Sequence, residues 1–268
     1  MVAYGQMVPT CGVGTLLAAA LRPIPASERA SMTATGTYLH QAGVWCRSGD
    51  AADAYVIAER TTYDPLRIQG SDVVLDLGAH IGVVARQLLE RGAARLIAVE
   101  PYGPNVEMLR LNLSRWAQDR CTIVPAAVVG EDHSSEFAEL RVPKDNLAMC
   151  SLVDHGAPYA VMVSRCTVEA IRFDHLLATH RPTVLKVDIE AGEYALLPSL
   201  SRLPCHVRTA AVEWHNFEPH LHDGGFHRAY RETHARLLAC GFAVTGTSGA
   251  MIAHEHSAVL HIYERSAS

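Results

Sequence analysis

The sequence predicts an α/β protein built on one mostly parallel sheet with helices on both faces. Two observations point there. From residue 73 onward, short apolar runs alternate with amphipathic stretches. Strand–helix alternation with right-handed crossovers lays neighbouring strands parallel and covers both sheet faces. The last two runs, "FAVTGTS" and "SAVLHIYERS", are separated by only a few residues. So short a link allows an antiparallel hairpin and no parallel crossover.

Each element follows from its residues. Strands fit "VVLDLG", "RLIAVE", "CTIVPAAV", "TVLKVDI" and "RTAAVEW". Helices fit "GVVARQLLERG", "PNVEMLRLNLSRW", "EAIRFDHLLATH", "GEYALLPSLSR" and "FHRAYRETHARLLACG", each with helical apolar spacing. With the closing hairpin the sheet has seven strands. Between residues 131 and 168, "EFAELRV" and "YAVMVSRCTV" read as a hairpin inserted at a sheet edge. Residues 1–70 form an N-terminal extension, helical or irregular, expected to cap the active site; residues 71–268 form the main domain. Within the extension "TLLAAALR" should be helical, and "DAYVIAER" fits a helix or a short strand.

Hydrophobic residues make up 49% of the 268 and charged residues 19%, enough for a sizeable core. The formal charge is −5 and no Lys/Arg tract occurs. That excludes the electrostatic footprint of a nucleic-acid binder or a basic membrane-surface patch. The seven cysteines contain no C-x-x-C pair and their number is odd, against a zinc knuckle or disulfide framework. Reduced thiols place the protein in the cytoplasm. "GTLLAAALRP" lacks the basic lead of a signal peptide, and no apolar run reaches spanning length. The expected partner is a small-molecule acceptor; a homodimer is compatible with the sequence.

The turn after the first core strand reads Asp76-Leu77-Gly78-Ala79-His80-Ile81-Gly82. A dinucleotide fingerprint needs a glycine where His80 stands, so that the backbone can approach a pyrophosphate. The P-loop Lys and Ser/Thr are absent too. What remains is D-x-G-x-x-x-G with Glu100 at the end of the next strand. That suits S-adenosylmethionine. Gly78 leaves side-chain-free backbone beside the ligand, and Gly82 lets the helix pack close. Asp76 could hold the ligand's ammonium, directly or through water, and Glu100 its ribose hydroxyls. His80 contacts the donor or caps the following helix.

The order of motifs resembles the FkbM family of methyltransferases, from about residue 53 to 200 and more loosely to 215. "VVLDLGAHIG" is similar to its first motif, in which Asn is commoner than His80. "AVEPYGPNVEMLRLNL" resembles E-P-x-x-x-N-x-x-x-L-x-x-N through Glu100, Pro101, Asn105, Leu109 and Asn112. "DAYVIAE" resembles the lead-in segment and "PAAVVGED" the third-strand motif. "LKVDIEAGE" resembles L-K-x-D-x-E-G-x-E through Lys186, Asp188, Glu190 and Glu193, with Ala191 where the family has Gly. The resemblance implies a Rossmann-like class I fold, S-adenosylmethionine as donor, and hydroxyl methylation on natural products or sugars. It implies a donor site of Asp76, Gly78, Ala79, His80, Gly82, Glu100, Pro101, Asn105, Ala127 and Asp188, with Tyr63 lining the pocket or packing the N-terminal segment.

Asp188 and Glu190 alternate onto one face of the fourth strand, and Glu213 and His215 onto one face of the fifth. All four converge where the methyl group is expected. His215 is the candidate base, because its ordinary pKa lies near neutrality; Glu213 orients it only if the strand bends. Lys186 on a core strand calls for a structural pair with Asp188 or a Glu. Glu193 reads as a helix N-terminal carboxylate. Mg²⁺ on Asp188, Glu190 and Glu213 is an alternative to the base, not the expected arrangement. "HNFEPHLHDGGFH" reads as a mobile loop over the acceptor pocket, not a histidine metal site. N-methylation stays open, and so does a donor-binding scaffold without turnover, motivated by His80 and Ala191.

Overall fold

The computed structural model describes residues 22–23, 38–41, 43–116, 119–144, 146–153, 163–216, 225–249 and 257–265. The expected "TLLAAALR" helix and most of the histidine-rich loop lie outside them.

The described part of the extension begins with a small antiparallel sheet: β1 (Arg22–Pro23), β2 (Tyr38–Gln41) and β3 (Val44–Arg47). Helix α1 (Ala51–Ala58) follows, resolving "DAYVIAER" as a helix. The Asp50 side chain accepts from the Ala52 and Asp53 amides, satisfying donors that the first turn leaves free.

The core then alternates β4 (Val73–Leu77), α2 (Val83–Glu90), β5 (Arg95–Val99), α3 (Gly103–Leu113) and β6 (Cys121–Val124). After an insertion come α4 (Phe173–His180), β10 (Val184–Val187), α5 (Leu197–Leu200), β11 (Thr209–Asn216), α6 (Gly225–Ala239), β12 (Phe242–Gly249) and β13 (Ser257–Arg265). The seven-stranded sheet runs β12-β13-β11-β10-β4-β5-β6. Strand β13 is antiparallel to both neighbours and the other pairings are parallel, as the hairpin predicts.

Alternate residues of the strands feed two cores. Leu75, Leu77, Val99 and Val187 pack with Phe173, Trp214 and Leu237. Val74, Leu96, Ala98 and Val184 pack with Leu88, Leu89 and Leu109. The chain leaves β4 toward β5 on one side and meets β10 on the other. That switch point places a crevice at the strands' carboxyl ends.

Local outcomes differ from the sequence pattern at four places. "CTIVPAAV" is two strands: β6 stops at Val124 and β7 (Ala127–Val129) belongs to another sheet. Pro125 between them offers no N–H to a ladder. The inserted hairpin, β8 (Phe137–Pro143) with β9 (Val163–Arg172), is antiparallel as expected. It pairs with β7 as a separate sheet and not with an edge of the main one. "EAIRFDHLLATH" begins as strand, because β9 runs to Arg172, and the helix covers only Phe173–His180. Pairing with both β7 and β8 overrides its helical periodicity. "GEYALLPSLSR" is a 3₁₀ turn, Gly192–Leu196, and the short α5, with Pro198 unable to donate to a continuous α-ladder.

Candidate active site

A cavity of about 480 Å³ opens at the carboxyl ends of β4, β5, β10 and β11. Its size suits a ligand of cofactor dimensions. One half is built around the turn after β4. A Cβ on Gly78 would stand 1.8 Å from the Asp188 carbonyl oxygen, and Gly78 has φ +77°. Glycine is therefore required by the approach of β4 to β10 as well as by an open ligand surface. Gly82 (φ +88°) does not line the cavity; a Cβ there would meet Leu109 of α3 at 2.7 Å.

Glu100, at the end of β5, is held by three donors. The His80 amide donates to Oε2 (3.0 Å); the Tyr102 amide (3.0 Å) and Asn105 Nδ2 (3.2 Å) donate to Oε1. Asn105 Oδ1 accepts from Arg47 Nη2 (2.9 Å), and Arg47 is clamped by the buried Asp53. Burial raises the Glu100 pKa, opposed by those hydrogen bonds. Oε2, with a single protein donor, is the oxygen freer to take a ribose hydroxyl. His80 adopts left-handed φ +48°. Its two ring nitrogens are buried without a hydrogen bond among the described residues. Burial, with Arg47 nearby, holds its pKa down to about 3. Helix α2 is capped by Gly82 and not by a side chain, so His80 is a cavity residue and not a helix cap. Ala79, Pro101 and Ala127 complete this half.

Asp76 is displaced from its expected place. It is fully buried and outside the cavity lining. Lys186 Nζ lies 3.3 Å from Asp76 Oδ1 and 3.3 Å from Asp188 Oδ2, and donates to the Gly78 carbonyl at 2.7 Å. The Lys186–Asp188 pair matches the sequence reading; Asp76 is a second partner. Its carboxylate compensates a buried lysine and does not face the donor site.

The other half gathers Tyr63, Asp188, Glu190, Glu213 and His215. The Tyr63 hydroxyl is 2.8 Å from Glu213 Oε2 and 3.3 Å from Asp188 Oδ2. A hydroxyl has one proton to donate, so Tyr63 bonds the nearer Glu213 and holds Asp188 more weakly. Burial and the Asp188 charge push Glu213 up to about 7. Burial, Asp188 and Glu213 push Glu190 up to about 8, against His215. Asp188 itself is lowered: Lys186 and His215 outweigh its desolvation. His215 Nε2 lies 3.7 Å from Asp188 Oδ1 and 3.7 Å from Glu190 Oε2. Burial lowers the His215 pKa, but Glu190, Glu193 and Asp188 together raise it well above the ordinary value.

Glu213 does not orient His215. Glu193 stands in that place, Oε1 accepting from the His215 amide (2.7 Å) and lying 3.2 Å from Nδ1. It does occupy the first turn of a helix, as its position suggests, yet it is fully buried against the histidine. The repeated acid spacing of "DIEAGE" was the available signal. Tyr55 and Glu59, within "DAYVIAE", also line the cavity, as do Asn146–Leu152 of the insertion, which carried no sequence signal.

Asp188, Glu190 and His215 each offer one ligand atom, and these atoms lie within 4.8 Å of one another. The Mg²⁺ alternative named Glu213 in place of His215; Glu213 turns to Tyr63 instead. A buried ammonium already compensates Asp188. We read the cluster as proton-sharing groups and not as metal ligands.

The sheet order, the glycine turn and the acid closing the next strand define a class I S-adenosylmethionine-dependent methyltransferase. Residues 76–244 match the model of the methyltransferase FkbM domain, and the chain belongs to that family. Solved structures of similar fold include precorrin-6y C5,15-methyltransferase from Geobacter metallireducens GS-15, at 12% identity and TM-score 0.45 over 85% of this chain and 97% of that one. Trm5b from Pyrococcus abyssi matches at 10% identity and TM-score 0.47, over 86% and 56%. A comparison with curated proteins finds no match. Among the described residues no helix is long and apolar enough to cross a membrane.

Proposed function

We propose that this methyltransferase acts on a hydroxyl of a small polar acceptor, a natural product or sugar, with His215 as the proton acceptor. The supporting observation is the placement of His215 Nε2 in the cavity wall, beside Asp188 and Glu190 and across from the Glu100 end. When bound, S-adenosylmethionine supplies an electrophilic methyl group whose sulfur leaves as a neutral thioether. The Gly78–His80 backbone and Glu100 would hold its nucleoside part. In its neutral form, populated above its raised titration, His215 takes the hydroxyl proton at Nε2 as the acceptor oxygen attacks. Tyr63, Asp188 and Glu213 bind polar groups of the acceptor and exclude apolar ones. The carboxylate-lined wall and the net charge of −5 favour a small molecule over a nucleic acid.

Calorimetry should detect binding of the donor or its demethylated product; no binding of either sinks the reading. His215→Asn should lower kcat by about 10²–10⁴-fold, the usual contribution of a positioned base, with donor affinity unchanged. A second reading, N-methylation, draws on the same excess of carboxylates, which suits an amine. Turnover on amines and none on matched alcohols would select it.

A further inference from the structure

We propose that Glu193 is the positioning residue for His215, fixing the imidazole so that Nε2 faces the acceptor. This rests on the reading of His215 as proton acceptor. One carboxylate oxygen grips residue 215 twice, through its backbone amide at 2.7 Å and Nδ1 at 3.2 Å. The adjacent Tyr194 hydroxyl donates to the His215 carbonyl at 2.8 Å. The 3₁₀ turn Gly192–Leu196 therefore holds both backbone groups and one ring nitrogen of the same residue. A ring flip would lose the Nδ1 contact and turn Nε2 away from Asp188 and Glu190.

The chemistry of the contact fixes the tautomer. Nδ1 is within hydrogen-bond distance of Glu193 Oε1 (3.2 Å), whereas Nε2 stays 3.7 Å from both Asp188 and Glu190, so in neutral His215 the hydrogen sits on Nδ1 and the lone pair on Nε2. Among the described residues, the groups facing the ring include Asp188 and Glu190 beyond β10 and Glu193 on the 3₁₀ turn. Glu213, on the ring's own strand, is engaged by Tyr63, and Lys186 sits on Asp188. Glu193 is fully buried, and its Oε2 has no hydrogen-bond partner among the described residues. Burying a half-satisfied carboxyl group is costly, and anchoring the 215 amide alone needs only the oxygen of a glutamine. A carboxylate behind a histidine also makes the imidazole more basic and locks its orientation.

The test is ¹⁵N NMR of the His215 ring in the ligand-free protein, which needs neither donor nor acceptor. Above its titration, the wild-type ring should show hydrogen on Nδ1 and a lone pair on Nε2. Glu193→Gln should mix the tautomers and lower the imidazole pKa by about 1–3 units, the effect of removing one adjacent opposite charge. In kinetics, the same variant should move the ascending limb of the kcat/KM profile to lower pH and reduce kcat about 10–100-fold, leaving donor Kd unchanged. Glu193→Asp, which keeps the charge, should recover the pKa in part. Hydrogen on Nε2 in the wild type, or an unmoved pKa in folded Glu193→Gln, overturns the proposal. A failure of donor binding would strike the methyltransferase chemistry and not this geometry, so the two outcomes separate. If Glu193→Gln does not fold, the wild-type tautomer alone decides.

Discussion

The two halves of the cavity are built on opposite principles. Around Glu100, polar groups lean on one another, the His80 ring apart: three donors hold the carboxylate, Arg47 holds Asn105, and Asp53 holds Arg47. Around His215, carboxylates crowd one another, and two of them are displaced toward neutral pH. A satisfied network holds a ligand in a fixed pose. A crowded one keeps protons near neutrality and ready to move. The contrast supports our proposal that the first half binds the donor and the second carries the reaction.

Lys186 is where the halves touch, and removing it tests how separate they are. Its ammonium bonds the Gly78 carbonyl on the donor turn and compensates Asp76 and Asp188. Both neighbours raise its pKa against the desolvation that lowers it. Lys186→Met would leave the buried Asp76 uncompensated and Asp188 with His215 as its positive neighbour. We expect about 3–5 kcal/mol of lost stability, the usual result of breaking a buried pair from one side, measured by urea unfolding. Donor affinity should fall as well, because the Gly78 turn loses its anchor. Unchanged donor affinity in a folded variant would show that the halves do not communicate through Lys186.

The same division decides what could be read from the sequence. The motif residues of the donor half are local: Gly78, His80, Glu100 and Asn105 lie within one β-α-β-α segment, so fixed spacings give them away, while Arg47, Asp53 and Ala127 reach it from outside that segment. Even Asn112 has a visible cause, its amide bonding the Trp45 backbone and the Ile81 carbonyl. The acceptor half is assembled from afar: Tyr63 precedes the sheet, Glu193 follows β10 and His215 ends β11. Alternation along β11 placed Glu213 and His215 on the cavity; Asp188 and Glu190, read as alternating on the fourth strand, lie past its end at Val187, and a left-handed turn at Glu190 brings them to the cavity instead. Alternation could not say that Glu193, from a turn, outcompetes Glu213 for the histidine. The position of Asp76 shows the reverse error. A donor-facing role fits its motif, but a buried lysine two strand residues before Asp188 claims it.

Glu190 sharpens the comparison through pH. Burial, with Asp188 and Glu213, puts its folded pKa at about 8 against an ordinary 4.5. Between those values the folded chain binds more protons than the unfolded one, so stability falls as pH rises through the window. Glu190→Gln mimics the protonated form and removes this term. Its melting temperature should exceed that of the wild type at pH 8.5, by the equivalent of on the order of 2 kcal/mol. The gap should narrow as pH is lowered toward 5. Glu100, also raised by burial, shares the sign of this dependence, but Glu100→Gln should lower the melting temperature, because three donors that suit a carboxylate would be left facing an amide. A Glu100→Gln variant stabilised as much as Glu190→Gln would erase the distinction between the halves.

The smallest effect concerns the turn that carries the reacting half. Glu190 and Ala191 both have left-handed φ, +52° and +68°, a conformation that costs a residue with a Cβ about 1–2 kcal/mol. The family pattern has glycine at 191, and the structure gives the reason. Here Gly192 stands one place later, at a position without positive φ. Ala191→Gly should therefore relieve strain and stabilise the fold by up to about 1 kcal/mol, offset in part by the greater freedom of glycine in the unfolded chain. Urea midpoints at constant slope would measure it. The kinetic outcome carries the argument further. If the strain serves to aim Glu190 and Glu193 at His215, the stabilised variant should lose kcat while keeping donor Kd. If it keeps both, the left-handed alanine is a tolerated substitution, and the aim of the carboxylates comes from their packing alone.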